Sequence, residues 1–281
     1  MVRARADLHT HSSGSDGTDS PTELVRKADE MKLGGVALTD HDSIEGIQEF
    51  MGAKASDELR RVPGLEISTV LEKKEIHVLG YYVPLDSKPL NDGLEVLREG
   101  RHNRLPKMIQ KLNDLGLIVT LEKLYEGLDG VDSPGRPHVA QLLIKKGYVK
   151  TTSEAFEKYL AKGKPAFVEK PRMDTIEAVK LLKSVKAVPV LAHPLTIKLD
   201  DLRSFVEDLI DIGLLGVEVE YDYSFMGMNR SSDEVRKAID GLDVVHTGGS
   251  DYHGTVHYTG LGSITVSTDV IDELERIQSE L

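Results

Sequence analysis

The chain has 281 residues, with 35 Lys or Arg against 47 Asp or Glu, so its formal net charge is −12. This acidic balance argues against broad electrostatic binding to nucleic acid or to anionic membranes. Hydrophobic residues make up 40% and cysteine is absent, so the chain can bury a core, whereas disulfide scaffolds, thiolate zinc sites and iron–sulfur clusters are excluded.

The first part of the chain alternates short apolar strands with helices. One helix is predicted to begin at Pro21, because Ser20 suits the cap position and proline suits the first helical turn. The other predicted elements here are strands at residues 3–9, 35–39, 62–70 and 75–83, the last two a hairpin-like pair, and a helix at residues 44–59.

The same alternation returns after residue 187. The predicted strands are residues 187–192, 215–220 and 244–248, and the predicted helices are residues 199–212, 232–239 and a last one from 269. Repeated strand–helix units of this size predict an α/β fold built on a parallel barrel.

Between residues 84 and 171 the strand pattern gives way to amphipathic helical segments. We predict helices at residues 94–115, 121–128, 138–146 and 154–161. The predicted organisation is therefore a barrel domain of residues 1–85 and 171–281 with a helical insertion of residues 86–170.

Imidazoles and carboxylates follow six of the seven predicted barrel strands. They are His9 and His11, Asp40 and His41, Glu66, His77, His193, and Asp251 and His253. A lone histidine after a strand is more often a packing residue than a ligand. The whole set predicts a multinuclear metal centre at the carboxyl ends of the strands, because unpaired buried groups of this kind are costly.

These motifs resemble the PHP (polymerase and histidinol phosphatase) superfamily. The resemblance lies in His9-x-His11, Thr39-Asp40-His41, Glu66, His77, His193-Pro194 and Ser250-Asp251-x-His253, and it covers nearly the whole chain. The loop at residues 12–17 and the segment Gly135-Arg136-Pro137-His138 resemble its nucleotide phosphatase group, which includes nucleoside bisphosphate and AMP phosphatases and enzymes that trim short RNA from the 5′ end. The resemblance implies a distorted (β/α)₇ barrel, up to three metals and a helical insertion over the site.

The resemblance also implies a ligand set for each metal. The first set is His9, His11, Glu66 and Asp251; the second is Asp16, His41 and His253; the third is Glu66, His77 and His193, with Glu66 bridging. Asp7 and Asp40 would orient imidazole rings through their other ring nitrogen. Oxygen and nitrogen ligands suit two or three divalent ions of Mn, Fe, Zn or Mg.

Such a centre would attract a phosphate dianion. Three divalent ions bring six positive charges and the carboxylates of Asp16, Glu66 and Asp251 three negative ones, which leaves three positive charges. A bridging hydroxide would serve as nucleophile, and His193 and Asp251 are candidates to handle protons.

Several residues are predicted to bind the substrate. They are Arg101, Asn103, Arg104, Arg136 and His138, all within the insertion. Arginine forks onto phosphate, and Arg101 and Arg104 share a helix face. Tyr221 and Tyr223 either stack on a base or cover the barrel mouth, and His102, His246 and His257 are interpreted as non-ligands. With 5% aromatic residues and no tryptophan, we expect no stable complex with long nucleic acid.

The predicted function is a metal-dependent phosphoesterase for small nucleotides or the 5′ ends of short oligonucleotides. Histidinol phosphate phosphatase is the nearest alternative, and an acidic pocket for the ammonium group would favour it. An amidohydrolase-type metal hydrolase and a non-catalytic metal-binding module remain open. The chain begins without an apolar signal segment and has no stretch of membrane-spanning length, so we expect a cytoplasmic protein without a membrane partner.

Overall fold

A computed structural model describes residues 4–126, 135–169, 171–255 and 259–281, apart from the side chains of residues 101 and 102. Seven strands form the wall of a barrel in the spatial order β8-β7-β6-β4-β3-β2-β1. They are β1 Arg5–Asp7, β2 Gly35–Leu38, β3 Arg60–Leu71, β4 Lys74–Tyr81, β6 Val188–Leu191, β7 Gly216–Glu220 and β8 Val245–Gly248. The fold is the predicted α/β class, a distorted (β/α)₇ barrel.

The barrel is distorted because β4 runs against both of its neighbours. It pairs antiparallel with β3 and with β6, whereas β1–β2, β2–β3, β6–β7 and β7–β8 are parallel pairs. The prediction that all the polar groups follow strand ends is therefore wrong for Glu66 and His77. Glu66 lies in the middle of β3, and His77 lies in the first half of the reversed β4.

Contacts between the first and the last barrel strands close the wall. The Leu8 N–H donates to the Gly248 carbonyl over 3.2 Å, and His11 donates to the Tyr252 carbonyl over 2.8 Å. A short strand β9, Val266–Ser267, pairs antiparallel with β1 along the edge opposite β2. The hydrogen bonds of Leu8 and His11 hold the carboxyl ends of β1 and β8 beside each other.

Helices cover the outside of the barrel: α1 Pro21–Glu30, α2 Ile47–Gly52, α7 Thr175–Ser184, α8 Leu202–Ile212, α9 Ser232–Ala238 and α10 Asp269–Glu280. Helix α1 begins as predicted, with the Ser20 hydroxyl accepting from the Glu23 N–H over 3.1 Å. Helix α2 is much shorter than predicted. Ala53 is extended, and Ser56 binds the Asp29 carboxylate through its N–H and hydroxyl, so the chain after Gly52 forms a loop. Nowhere in the described ranges is a helix both long and apolar enough to span a membrane.

The segment between β4 and β6 contains most of the remaining helices. They are α3 Lys88–Asp114, α4 Leu121–Tyr125, α5 Arg136–Lys145 and α6 Thr152–Ala155, which continues into a π-helical turn, Phe156–Leu160. Residues 127 and 128 of the predicted second helix lie outside the described residues. A two-residue strand β5, Met173–Asp174, then pairs with β3 at Thr69 and Val70.

Helix α3 connects two apolar clusters. Leu90, Leu94 and Leu97 pack into the cluster of the barrel helices. The second half of α3, from Leu105 to Leu112, packs into a separate cluster with α4, α5 and the π-helical turn. Pro106 lies inside the helix, just after the change from one cluster to the other.

Candidate metal centre

All nine predicted metal ligands meet at one end of the barrel. They occur in four overlapping groups, and within each group the nitrogen and oxygen atoms lie within 4.8 Å of one another. The groups are His11, Asp16, His41 and His253; His9, Glu66 and His193; His9, His11 and Asp251; and His41, Glu66 and His77.

Glu66 lies at the centre of this cluster and is fully buried. Its Oε1 lies 2.8 Å from His77 Nδ1 and 3.0 Å from His193 Nε2. Its Oε2 lies 2.8 Å from His41 Nδ1 and 3.5 Å from His11 Nε2. The two oxygens of one carboxylate thus face different sets of imidazoles.

Two other carboxylates complete the cluster. Asp251 Oδ1 lies 3.1 Å from His11 Nε2 and 3.4 Å from His9 Nε2. Asp16 Oδ1 lies 3.3 Å from His253 Nε2 and 3.9 Å from His41 Nε2. Each carboxylate therefore faces at least two ring nitrogens.

The predicted contacts of Asp7 and Asp40 with imidazole rings are wrong. Asp40 accepts from the Ser12 N–H and from the hydroxyls of Ser12 and Ser15, so it holds the loop that carries Asp16. Asp7 accepts from the Ser250 N–H and hydroxyl and from the Gly262 N–H, so it holds the loop that carries Asp251. Burial raises the pKa of Asp7 to about 6, although these hydrogen bonds lower it. Both aspartates therefore hold the loops that carry metal ligands, and their hydrogen-bond donors are N–H and hydroxyl groups of those loops, not imidazole rings.

Other groups hold the imidazole rings. The Nδ1 of His9 lies 2.8 Å from the fully buried carboxylate of Glu218, and the Nδ1 of His253 lies 2.8 Å from the Asp251 carbonyl. Sequence reasoning missed Glu218. The available signal is its place in Gly216-Val-Glu-Val-Glu, where a carboxylate stands among the apolar residues of a strand.

The cluster fits divalent cations because several of its buried nitrogen and oxygen atoms make no hydrogen bond. His9 Nε2, both ring nitrogens of His11 and Glu66 Oε2 have no hydrogen-bond partner among the described residues. Burial, followed by the imidazoles of His253 and His41, lowers the pKa of His11 well below its ordinary value. A neutral imidazole keeps the lone pair that a metal requires.

Burial would raise the pKa of Glu66, but the imidazoles of His41, His77 and His9 lower it well below its ordinary value. The central carboxylate is therefore ionised and carries the negative charge that a cation requires.

Two of the clustered residues have backbones in a rarely occupied conformation. His193 has φ of 26° and Asp251 has φ of 51°, and each directly follows the carboxyl-terminal region of a strand. Positive φ is costly for a residue with a side chain and persists only where the surroundings enforce it. The structure thus maintains strain in the turns that aim these two side chains.

A cavity of about 440 Å³ opens above the cluster. Its floor includes Asp16, Glu66 and Asp251, and its wall on the insertion side includes Arg104 and Arg136. This volume suits a small molecule.

Arg136 is the most distinctive cation of this cavity. Its guanidinium carbon lies 5.5 Å from the ring centre of Phe156 and 5.8 Å from that of Phe167. It makes no hydrogen bond or ion pair with any described residue, and burial lowers its pKa, with Glu75 opposing. A half-buried cation that lies beside two aromatic rings is suited to an anionic ligand.

The other predicted substrate residues occupy different positions. Arg104 lines the cavity and donates to the Val168 carbonyl over 2.8 Å. Asn103 is exposed and lines a separate hollow. His138 is buried, and its Nδ1 accepts from the Gly135 N–H over 3.0 Å, which caps α5. The side chain of Arg101 lies outside the described residues.

The two tyrosines after β7 are covered. Tyr223 is buried, and its hydroxyl accepts from the Leu195 N–H over 3.4 Å. Tyr221 is also buried and donates to Asp251 Oδ2 over 2.9 Å. Tyr221 nevertheless lines the cavity, together with Phe225 and Met226 from the same loop, so the sequence question of base stacking against cover of the barrel mouth stays open for Tyr221.

Of the three histidines interpreted as non-ligands, His246 has a described side chain, and it belongs to none of the metal-compatible groups of the described residues. His246 is exposed on β8. The side chain of His102 and the whole of His257 lie outside the described residues.

A barrel that gathers imidazoles and carboxylates at its carboxyl-terminal face is typical of metal-dependent hydrolases. A family model described as the PHP domain matches residues 7–162, and the chain belongs to this family.

Two relatives and one solved structure show how closely other proteins resemble the chain. A 5′-3′ exoribonuclease from Haemophilus influenzae is 29% identical over 271 residues, covering 95% of this chain and 96% of the relative. A 3′,5′-nucleoside bisphosphate phosphatase from Chromobacterium violaceum is 30% identical over 257 residues, covering 89% and 87%. A solved structure from Bifidobacterium adolescentis, assigned as a metal-dependent phosphoesterase, has a TM-score of 0.87 at 27% identity and covers 97% and 96%. These comparisons confirm the predicted family and fold class, and they bear out the prediction of an enzyme that hydrolyses phosphoric esters.

Proposed function

We propose that the protein is a metal-dependent phosphoesterase that hydrolyses phosphate monoesters of small nucleotides or the 5′ ends of short oligonucleotides. The observation that carries this proposal is the cluster of nine nitrogen- and oxygen-bearing residues, six of them buried, under a cavity that Arg136 also lines. The names of the two relatives support the substrate class, because both act on nucleotides or RNA.

The contacts support the three ligand sets. Asp251 faces His9 and His11, Asp16 faces His41 and His253, and Glu66 Oε1 faces both His77 and His193. Glu66 would be the bridging ligand, because its other oxygen, Oε2, faces His9, His11 and His41. When bound, divalent ions would supply a water-derived nucleophile at neutral pH and neutralise the attacked phosphate.

The residues around the cluster would bind and orient the substrate. Arg136 and Arg104 would hold phosphate oxygens from the insertion side. Phe225 and Met226 would contact the base from the barrel side, because their side chains line the cavity mouth. A cavity of about 440 Å³ admits a mononucleotide or one terminal nucleotide.

Two of the clustered residues are also placed for proton transfer. His193 and Asp251 both line the cavity that would receive the phosphate ester. Asp251 would hold a metal through Oδ1, so Oδ2, which accepts from the Tyr221 hydroxyl over 2.9 Å, is the oxygen that would receive a proton from water in the cavity. His193 would hold a metal through Nε2, so the proton it could supply to the leaving oxygen is the one on Nδ1, which lies 3.1 Å from the Thr196 hydroxyl.

The two proposed domains, residues 1–85 with 171–281 and residues 86–170, would have different roles. The second apolar cluster, from Leu105 to Ala166, supports a separately packed insertion. The first half of α3 belongs to the barrel cluster, so the part with its own core begins near Leu105. The barrel would hold the metals, and the insertion would select the substrate.

A substrate panel tests the proposal. The protein, reconstituted with Mn²⁺, is assayed on AMP, a 3′,5′-nucleoside bisphosphate, a short 5′-phosphorylated RNA and histidinol phosphate. We expect the highest kcat/KM on one of the three nucleotide substrates. A preference for histidinol phosphate would support the nearest alternative, and turnover of none of these or of p-nitrophenyl phosphate would contradict a phosphoesterase.

A further inference from the structure

We infer that Glu218 is a positioning residue that holds His9 and His193 together in the geometry that binds metal. The inference rests on the proposed metal-dependent function. Glu218 itself lies outside the clustered ligands of the described chain and is fully buried in β7.

The two oxygens of Glu218 hold two different residues. Oε1 accepts from His9 Nδ1 at 2.8 Å, and Oε2 accepts from the backbone N–H of His193 at 2.7 Å. His9 follows β1 and His193 follows β6, so one carboxylate from β7 connects ligands that belong to two distant strands. In the proposed ligand sets these residues bind different ions.

The contact with His9 fixes which ring nitrogen carries the proton. A carboxylate only accepts hydrogen bonds, so His9 must carry its proton on Nδ1. In the neutral ring the lone pair is then left on Nε2, which faces Asp251 Oδ1 at 3.4 Å and Glu66 Oε2 at 3.6 Å. Glu218 therefore presents His9 to the centre in the tautomer that can bind a cation.

The contact with His193 supports a strained turn. His193 has φ of 26°, a conformation that needs compensation from its surroundings. A short hydrogen bond from its N–H to a buried carboxylate provides this compensation. Without it, the turn that aims His193 Nε2 at Glu66 would relax.

An irregularity in β7 gives the side chains of Glu218 and Glu220 different surroundings. The pairing of β7 with β8 shifts register between Glu218 and Glu220, and such irregularities change the direction of side chains. Glu220 instead forms an ion pair with Arg236 at the surface. Glu220 is therefore a matched control on the same strand.

The substitution Glu218→Gln is the sharpest test, because it keeps the shape but breaks the pattern of hydrogen bonds. An amide has one oxygen and one NH₂ group, so it can accept from His9 or from His193 but not from both without placing two donors against each other. We expect a 10–100-fold weaker affinity for Mn²⁺ by equilibrium dialysis, the usual effect of losing such support. We also expect a mixed His9 tautomer in ¹⁵N-histidine NMR spectra of the metal-free protein, recorded at a pH high enough to leave the ring neutral. Such a pH is needed because burial lowers the pKa of His9 but the carboxylates of Glu218, Asp251 and Glu66 raise it well above its ordinary value. The variant Glu220→Gln should match the parent in both measurements.

A second variant covers the case in which Glu218→Gln does not fold. Glu218→Asp keeps both acceptor oxygens but shortens their reach, so its Mn²⁺ affinity should also fall below that of the parent. Parent-like affinity and a pure Nδ1–H tautomer in every Glu218 variant that folds would overturn the inference. If the parent binds no metal and hydrolyses no phosphate, the proposed function fails, whereas the tautomer of the metal-free protein still decides the role of Glu218.

Discussion

Glu66 Oε1 lies 2.8 Å from His77 Nδ1, although the two residues come from adjacent strands that run in opposite directions. Their register explains the contact. His77 is opposite Ser68, and Glu66 is opposite Leu79, so the two side chains are diagonal neighbours on one face of the sheet. The reversal of β4 therefore brings the imidazole of His77 to the central carboxylate. The other imidazoles that face Glu66 belong to residues that follow β1, β2 and β6.

The central position of Glu66 predicts that Glu66→Gln is more damaging than loss of a peripheral ligand. Loss of supporting contacts around a metal costs about 10–100-fold, and the loss of kcat/KM in Glu66→Gln should exceed that range because several imidazoles lose their shared partner. His193→Ala should fall nearer to it. Steady-state kinetics and elemental analysis of both variants provide the measurement. Normal turnover and metal content in Glu66→Gln would refute the bridging role.

The number of clustered ligands predicts two or three divalent ions per chain. Elemental analysis after reconstitution with Mn²⁺ or Zn²⁺ should show this stoichiometry, since nine ligands exceed the needs of one ion. A chelator should lower the melting temperature, because binding stabilises the folded state by about 2.7 kcal/mol for each ion present at 100 times its Kd. A single tightly bound ion would contradict the three ligand sets.

The environment of Arg136 predicts a selective loss of activity on nucleotides. Arg136→Ala should leave the metal content unchanged and weaken kcat/KM for a nucleotide by about 2–4 kcal/mol of transition-state stabilisation. If Arg136 binds a second phosphate or the nucleotide body, kcat/KM for an aryl phosphate should fall less than kcat/KM for the nucleotide. If Arg136 binds the scissile phosphate, both values should fall equally. Arg98, on α3 and paired with Glu45 and Glu95, supplies the control Arg98→Ala. Unchanged kinetics on every phosphate would assign Arg136 a purely structural role.

The second apolar cluster predicts that stability and metal binding can be separated. Leu112 is fully buried in that cluster, so Leu112→Ala should lower the free energy of unfolding of the insertion by about 2–5 kcal/mol. Nucleotide turnover should fall with it, while the metal content stays at the parent value. Leu115→Ala, one turn further and 46% exposed, should change neither. Loss of metal in the Leu112 variant would show that the two parts do not fold separately.

Sequence reasoning located the clustered residues because hydrophobic strands and polar strand ends alternate visibly along the chain. The predicted hairpin-like pair of β3 and β4 is confirmed. The prediction that His77 lies at the end of its strand is wrong, because the first half of the reversed β4 lies beside Glu66. Glu218 was missed because a single buried carboxylate within a strand resembles an ordinary alternation of residues. Asp7 and Asp40 were given the wrong contacts, since only the folded loops show which N–H and hydroxyl groups surround them.

The hydrogen bond between Asp7 and Ser250 joins residues that are 243 positions apart. Contacts with such separation form late, because a long loop must close before they contribute any stability. The loop that carries Asp251 and His253 is therefore placed only when the last barrel strand meets the first. During synthesis on the ribosome, we expect the emerging chain to expose an incomplete set of imidazoles, so full-affinity metal capture would accompany the closing step of folding.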